Sequence, residues 1–134
     1  SLQLTEFLNR ILLESSAAEP EVIRKAKELI TSRINEKLSL QDVSNEVHLS
    51  VFYFCNLFKK NTGMTFTEYV NRQRIELAKG ELKNTKKPIT EIAYAVGFQS
   101  LSQFNRSFLK FAGEPPRGYR QHSRNIPTGL VISR

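Results

Sequence analysis

The residues of this chain best suited to recognition chemistry lie on one face of a predicted helix in the C-terminal half. Ser102, Asn105, Arg106 and Leu109 have helical spacing and face away from the apolar positions of that helix. Asn and Arg side chains can pair with base edges in a DNA major groove, and Ser, Asn and Arg side chains can all hydrogen-bond to phosphates. This pattern indicates recognition of a nucleic-acid surface.

Catalytic chemistry finds little support among the residues present. The 134-residue chain has two His far apart, one Cys and no glycine-rich phosphate-binding loop. An enzyme would need clustered nucleophiles, bases or metal ligands. We therefore expect no enzymatic activity, no metal site and no cofactor.

Two short helices position the recognition face. The apolar spacing predicts a helix over residues 89–96, and Gly97 supplies a left-handed stop. Ser100 and Gln103 form a capping box for the next helix, which ends at Gly113. Two helices joined by a tight glycine-containing turn predict a helix-turn-helix.

The same pattern occurs earlier in the chain. Residues 40–49 match residues 89–98 at an offset of 49, and residues 54–69 match residues 104–119 at an offset of 50. Eight positions of the first copy match eight of the second, taken in the same order. In the first copy they are Leu40, Val43, Val47, Leu49, Phe54, Phe58, Gly63 and Tyr69. In the second copy they are Ile89, Ile92, Val96, Phe98, Phe104, Phe108, Gly113 and Tyr119. The chain is therefore predicted to be a duplicated helix-turn-helix, with His48 as a positive-φ turn residue in the first copy.

A long helix is predicted between the two copies. It begins at the capping box of Thr65 and Glu68 and runs to about Asn84. Roughly 19 residues at about 1.5 Å each give a rod of about 28 Å. Two recognition helices on such a rod could enter successive major grooves, about 34 Å apart, if the DNA bends slightly.

The two ends of the chain are less patterned. A helix is predicted from Pro20 to about Lys37, preceded by residues 1–19, which we interpret as a linker or the end of a missing upstream regulatory domain. A helix over residues 2–14 that pairs two copies of the protein is the alternative. Because the chain starts with Ser rather than Met, we expect a fragment of a longer protein. Residues 122–134 are predicted to be a mobile tail.

Charge is distributed unevenly along the sequence. Residues 1–50 carry a net charge of −2, whereas residues 51–134 carry +9. A basic helical half favours a polyanionic partner. The single Cys55 excludes an intramolecular disulfide and fits a reducing cytoplasm, and no apolar run approaches the roughly 18 residues of a membrane span.

The spaced motifs resemble the signature of the AraC/XylS transcription regulators. The second copy carries Ile89-x-x-Ile92-Ala93-x-x-Val96-Gly97-Phe98, Phe104-x-Arg106-x-Phe108-x-Lys110, Gly113, Pro116 and Tyr119-Arg120. The first copy matches in Leu49-Ser50, Phe58-Lys59-Lys60 and Thr62-Gly63. The resemblance covers about residues 20–121.

This resemblance implies an all-α fold of about seven helices. Two helix-turn-helix subdomains, residues 20–64 and 85–121, would be joined by the linker helix of residues 65–84. It also implies sequence-specific binding to adjacent major grooves of double-stranded promoter DNA, usually activating transcription through RNA polymerase. An effector would act through the upstream domain. The expected location is the cytoplasm, at the nucleoid and not at a membrane.

The resemblance also assigns contacts to DNA, position by position. The expected base-reading residues are Val51, Phe52, Cys55, Asn56, Leu101, Ser102, Asn105 and Arg106. The expected phosphate contacts are Ser50, Lys59, Lys60, Ser100, Gln103 and Lys110. Since Val51, Phe52 and Cys55 offer little hydrogen bonding, base reading by the first subdomain stays open, and Leu101 could equally belong to the core. Arg120 is expected to bond carbonyls at the end of the fold.

Two other binding functions compete with this interpretation. A protein-interaction module that no longer reads DNA is disfavoured by the polar face of residues 102–106 and by the basic C-terminal half. An RNA-binding domain is disfavoured because the sequence is not expected to expose aromatic platforms at spaced intervals.

Overall fold

In a computed structural model, residues 19–125 are described, and they form seven α-helices without a β-strand. The helices are α1 Glu21–Ser32, α2 Leu40–Glu46, α3 Val51–Thr62, α4 Phe66–Asn84, α5 Ile89–Ala95, α6 Leu101–Ala112 and α7 Pro116–Asn125. The all-α prediction of about seven helices is confirmed. The helix predicted over residues 2–14 lies outside the described residues.

The chain divides into two compact units, each containing one helix-turn-helix. The first unit extends to Ser32 and resumes over Leu38–Phe66, so it contains the α2–α3 pair. The described part of the second unit contains Arg33–Lys37 and residues 67–125, and therefore the α5–α6 pair. Helix α4 starts at the last residue of the first unit, as expected for a linker helix between the copies.

Three aromatic rings organise the core of the first unit. Phe54 and Phe58 of α3 lie 5.5 Å apart between ring centroids, and each lies 6.1 Å from Phe66 in an edge-on arrangement. Such tilted and edge-on geometries are the preferred packing of aromatic side chains. The aliphatic side chains buried in this unit come from α1, from α2 and from the residue that directly follows α2: Ile23, Ala26, Ile30, Val43 and Val47.

The second unit has a larger continuous core. Phe104 and Phe108 of α6 are fully buried, and Tyr119 of α7 packs edge-on against Phe108 at 5.6 Å between centroids. The other buried members come from α4, α5 and the following turn: Ile75, Ala78, Leu82, Ile92, Ala93, Val96 and Phe98. This core fixes the α6 face that points away from it.

The predicted duplication is repeated in the local geometry of the two units. The Ser50 and Ser100 hydroxyls cap α3 and α6, accepting from the backbone N–H groups three residues later at 3.2 and 3.1 Å. Gly63 and Gly113 end the same helices in the left-handed conformation, with φ of 76° and 79°. In the first copy, His48 has a φ of 60°, as predicted for this turn.

A buried arginine holds the segment of residues 33–37 within the second unit. Arg74 of α4 donates from Nε to the Ile34 carbonyl and from Nη2 to the Glu36 carbonyl, both at 2.8 Å. Its guanidinium lies 5.9 Å from the centroid of the Phe98 ring, and burial lowers its pKa. The prediction that α1 continues to about Lys37 was wrong, since the helix ends at Ser32. Two carbonyls of the segment that follows accept hydrogen bonds from Arg74 and not from a further helical turn, which explains this earlier end.

The C-terminal helix also differs from the prediction. Residues 122–134 were expected to be a mobile tail, but α7 continues to Asn125, so that prediction was wrong for its first four residues. Arg120 anchors α7 by donating to the Leu82 and Thr85 carbonyls at 3.1 and 3.4 Å, which confirms its expected role. Burial, followed by repulsion from Arg124, lowers the pKa of Arg120. Residues 126–134 lie outside the described part of the chain.

Candidate nucleic-acid interface

Helix α6 presents the polar face predicted from its spacing. Ser102, Asn105 and Arg106 are exposed, and Leu109 is 54% exposed, whereas Phe104 and Phe108 on the opposite side are fully buried. Within residues 19–125, Arg106 has no ion-pair partner, so its guanidinium is available to a ligand. This face offers a forked donor and an amide side by side, which is the chemistry that pairs with purine edges.

Helix α3 presents a more apolar face. Phe52 is 79% exposed and Tyr53 is 55% exposed, while Val51 and Cys55 are half-buried. Asn56 is exposed, and its side-chain amide donates to the Phe52 carbonyl at 3.1 Å. Four of the predicted base-reading residues therefore fall on α3, and of these four Phe52 and Asn56 are exposed.

Leu101 differs from the other predicted residues of α6. Its side chain is half-buried and packs against the core of the second unit. This placement fits the core alternative that the sequence left open for Leu101. The exposed predicted readers on α6 are Ser102, Asn105 and Arg106.

Most predicted phosphate contacts cluster at the ends of α3 and α6. The Ser50 and Ser100 hydroxyl oxygens accept cap hydrogen bonds, which leaves each O–H free to donate to a phosphate. Lys59 and Lys60 are exposed in the last turn of α3. Gln103 is half-buried in the first turn of α6. First-turn N–H groups and helix polarity also favour an anion at these helix starts.

Lys110 is already paired with an acidic residue. Its Nζ lies 2.9 Å from the Glu68 carboxylate of α4, and also 5.4 Å from the centroid of the neighbouring Phe111 ring. Sequence reasoning did not identify Glu68 as this partner, because 42 positions separate the two residues. A phosphate bound by Lys110 would have to compete with this carboxylate.

A groove beside α6 is a second feature that the sequence did not reveal. One wall consists of Leu101, Asn105 and Leu109, and the other of Ile89, Thr90 and residues 115–117. Its volume is about 480 Å³, and its lining is largely apolar. Leu101, Asn105 and Leu109 follow one another at intervals of four residues, a stripe visible in the sequence. The opposite wall comes from α5, from the residue before α7 and from the start of α7.

The described residues of the two units, 19–125, contain neither a group of metal ligands nor a membrane span. Within residues 19–125, no three His, Cys, Asp or Glu side chains come close enough to hold a metal ion. In the same part of the chain, none of the helices has the length and apolarity needed to cross a bilayer.

The fold and the exposed helix faces define a double helix-turn-helix domain. A family model described as a helix-turn-helix domain matches residues 43–122. The regulatory protein PocR of Salmonella typhimurium is 37% identical over 99 residues, which cover 74% of this chain and 33% of PocR. The chain belongs to the AraC/XylS family of transcription regulators.

Solved structures agree with this assignment. An AraC-type transcriptional regulator from Chromobacterium violaceum is 27% identical, with a TM-score of 0.72 over 79% of this chain and 95% of that one. The DNA-binding domain of AdpA, solved in complex with a target DNA, is 20% identical with a TM-score of 0.74, over 79% and 96% of the two chains. At that identity, the AdpA likeness shows the fold alone. The chain spans less than half of the length of several curated relatives.

Proposed function

We propose that the two units bind double-stranded DNA sequence-specifically, with α3 and α6 entering successive major grooves of a promoter operator. The observation that carries this proposal is the exposed polar face of α6, formed by Ser102, Asn105 and Arg106. Its residue types match the donors and acceptors of a major groove. The AdpA domain supports the proposal, since it has the same fold and was solved with DNA.

The two helices contribute different chemistry to reading. On α6, Arg106 pairs with guanine and Asn105 with adenine, each through two hydrogen bonds. On α3, Phe52 packs against a thymine methyl group and Asn56 pairs with adenine after releasing the Phe52 carbonyl. Second-unit reading therefore rests on hydrogen bonds, and first-unit reading rests mostly on shape and apolar contact.

Regulation of transcription follows from binding near promoters. We propose that the protein activates transcription through contact with RNA polymerase, and that an effector acts through a part of the protein beyond these two units. Transcription in vitro from a promoter carrying the selected operator tests this step. A rise in transcript with added protein is expected; a fall would establish repression instead.

Selection from a random double-stranded DNA pool, with binding titrated at several salt concentrations, tests DNA reading directly. Two short blocks of preferred bases, one for each recognition helix, are the expected result. A single block would restrict base reading to one unit. No enrichment together with a shallow salt dependence would contradict the proposal and favour a protein-interaction module.

The ion pair between Lys110 and Glu68 predicts unequal phosphate contacts at matched positions of the two copies. The slope of log K against log salt is negative, and its magnitude reflects the number of phosphate contacts. Lys60→Ala should reduce this magnitude by about 1, because one phosphate contact is lost. Lys110→Ala should lower it by less, since Glu68 already neutralises part of the Lys110 charge. Glu68→Gln should steepen the slope by freeing Lys110 for phosphate.

The double variant Glu68→Gln/Lys110→Ala closes the cycle for this pair. In the Glu68→Gln background Lys110 has lost its carboxylate partner, so replacing Lys110 with Ala should reduce the magnitude of the salt slope by the full value of about 1. Glu76→Gln is the matched control, because Glu76 is paired with Lys79 on the same helix and carries the same charge change. If Lys110→Ala lowers the slope as much as Lys60→Ala, the carboxylate does not compete with phosphate.

A further inference from the structure

We infer that the groove beside α6 seats one sugar–phosphate strand of the bound DNA, with Arg117 as a phosphate contact. This inference rests on the proposed DNA-binding function and extends it to α7, outside the two helices of the helix-turn-helix. Arg117 is exposed in the first turn of α7 and forms part of the groove wall.

Continuity with the reading face places DNA at this groove. Asn105 belongs to both surfaces: it is an exposed reader on α6 and it lines the groove. A base pair that contacts Asn105 is attached to backbone on each side of the major groove. One of those strands must therefore pass the mouth of the groove, within reach of its second wall.

The chemistry of the two walls suits a sugar–phosphate strand. Leu101 and Leu109 provide apolar surface on which deoxyribose can pack. Arg117 has no ion-pair partner within residues 19–125, so its charge is not satisfied by the protein in the way that the Lys110 charge is. A guanidinium binds phosphate through two parallel hydrogen bonds. The Thr90 hydroxyl on the same wall is exposed and adds a donor.

Charge complementarity favours DNA over an apolar protein segment as the occupant. Arg117 is the charged residue of the groove wall, and it is basic. Residues 51–134, which include the groove, carry a net charge of +9. An anionic strand satisfies both the charge and the apolar wall, whereas an apolar helix would leave the guanidinium without a partner.

Salt titrations with Arg117 variants test this contact on the operator recovered by selection and on random DNA. Arg117→Ala should weaken binding roughly threefold to tenfold on both DNAs, with base preference unchanged. The magnitude of the slope of log K against log salt should fall by about 1. Arg117→Lys should retain most of the slope, because it keeps the charge. Arg124→Ala is the matched control, since Arg124 lies at the other end of α7 and donates to the Lys83 carbonyl.

Four outcomes separate this inference from the function on which it rests. A wild-type slope and affinity for Arg117→Ala overturn the phosphate contact, and so does a change in base preference. If Arg106→Ala still loses base preference while Arg117→Ala behaves as wild type, DNA reading stands and the groove has another occupant, such as a protein. If selection recovers no operator and the salt dependence of binding is shallow, the proposed function itself fails. Equal urea midpoints of Arg117→Ala and wild type ensure that folding is not the cause.

Discussion

Gly97→Ala is expected to lower the free energy of unfolding of the second unit by about 3 kcal/mol. Gly97 has a backbone φ of 109°, a value that residues with a side chain rarely adopt. A Cβ there would lie 2.5 Å from the Ile34 carbonyl oxygen and 2.6 Å from Nε of Arg74. The nearest atom is backbone and the guanidinium is held by two carbonyls, so neither can move aside without losing hydrogen bonds.

Gly80→Ala is the matched control for this substitution. Gly80 lies inside α4, and a Cβ there meets nothing within 4 Å. The same change should therefore raise stability by about 1 kcal/mol, because alanine favours a helix interior over glycine. Urea unfolding of both variants measures the difference. Equal stability of the two variants would contradict the close packing at Gly97.

Local features of the fold were predictable because their signals lie within a few residues of each other. Ser50 and Ser100 cap α3 and α6, and Gly63 and Gly113 end the same helices in the left-handed conformation. Capping oxygens and left-handed glycines act through backbone groups three or four positions away. Such a signal can be read from the sequence without knowing the tertiary structure.

Long-range contacts could not be predicted in this way. Arg74 reaches the Ile34 and Glu36 carbonyls across 40 and 38 positions, and no local pattern links them. The end of α1 was mispredicted for that reason. The continuation of α7 to Asn125 was missed because its polar sequence gives no sign of the hydrogen bonds that anchor Arg120. These bonds run to the Leu82 carbonyl of α4 and to the Thr85 carbonyl just after it.

The candidate site shows the same limit. Helical spacing identified the exposed face of Ser102, Asn105 and Arg106, because periodicity determines the direction in which a side chain points. Spacing does not determine depth, so it could not show that Leu101 is half-buried. Nor could it reveal that Glu68 partners Lys110, since the two lie on different helices.

The chemical difference between α3 and α6 suggests how specificity is divided between them. Phe52 and Tyr53 expose apolar rings on α3, whereas Asn105 and Arg106 expose hydrogen-bonding groups on α6. A methyl contact distinguishes thymine, but only a bidentate donor reads both acceptors of guanine. The strongest single-base preference is therefore expected on α6, at Arg106.

Arg106→Ala should weaken binding to the selected operator by about 1–3 kcal/mol and relax the preference at one base position. The structural reason is that the exposed guanidinium of Arg106 has no ion-pair partner within residues 19–125, so it enters the groove without breaking a bond in the protein. Binding measured on the operator, on a single-base variant of it and on random DNA separates preference from overall affinity.

Arg106→Lys distinguishes base reading from charge alone. Lysine keeps the positive charge but loses the fork that engages two acceptors of one guanine. Binding to random DNA should therefore stay near wild type, while the preference for the operator over its single-base variant falls. An equal loss on operator and random DNA in Arg106→Ala, restored by Arg106→Lys, would reassign Arg106 to phosphate. The hydrogen-bonding share of base reading would then rest on Asn105, Ser102 and Asn56.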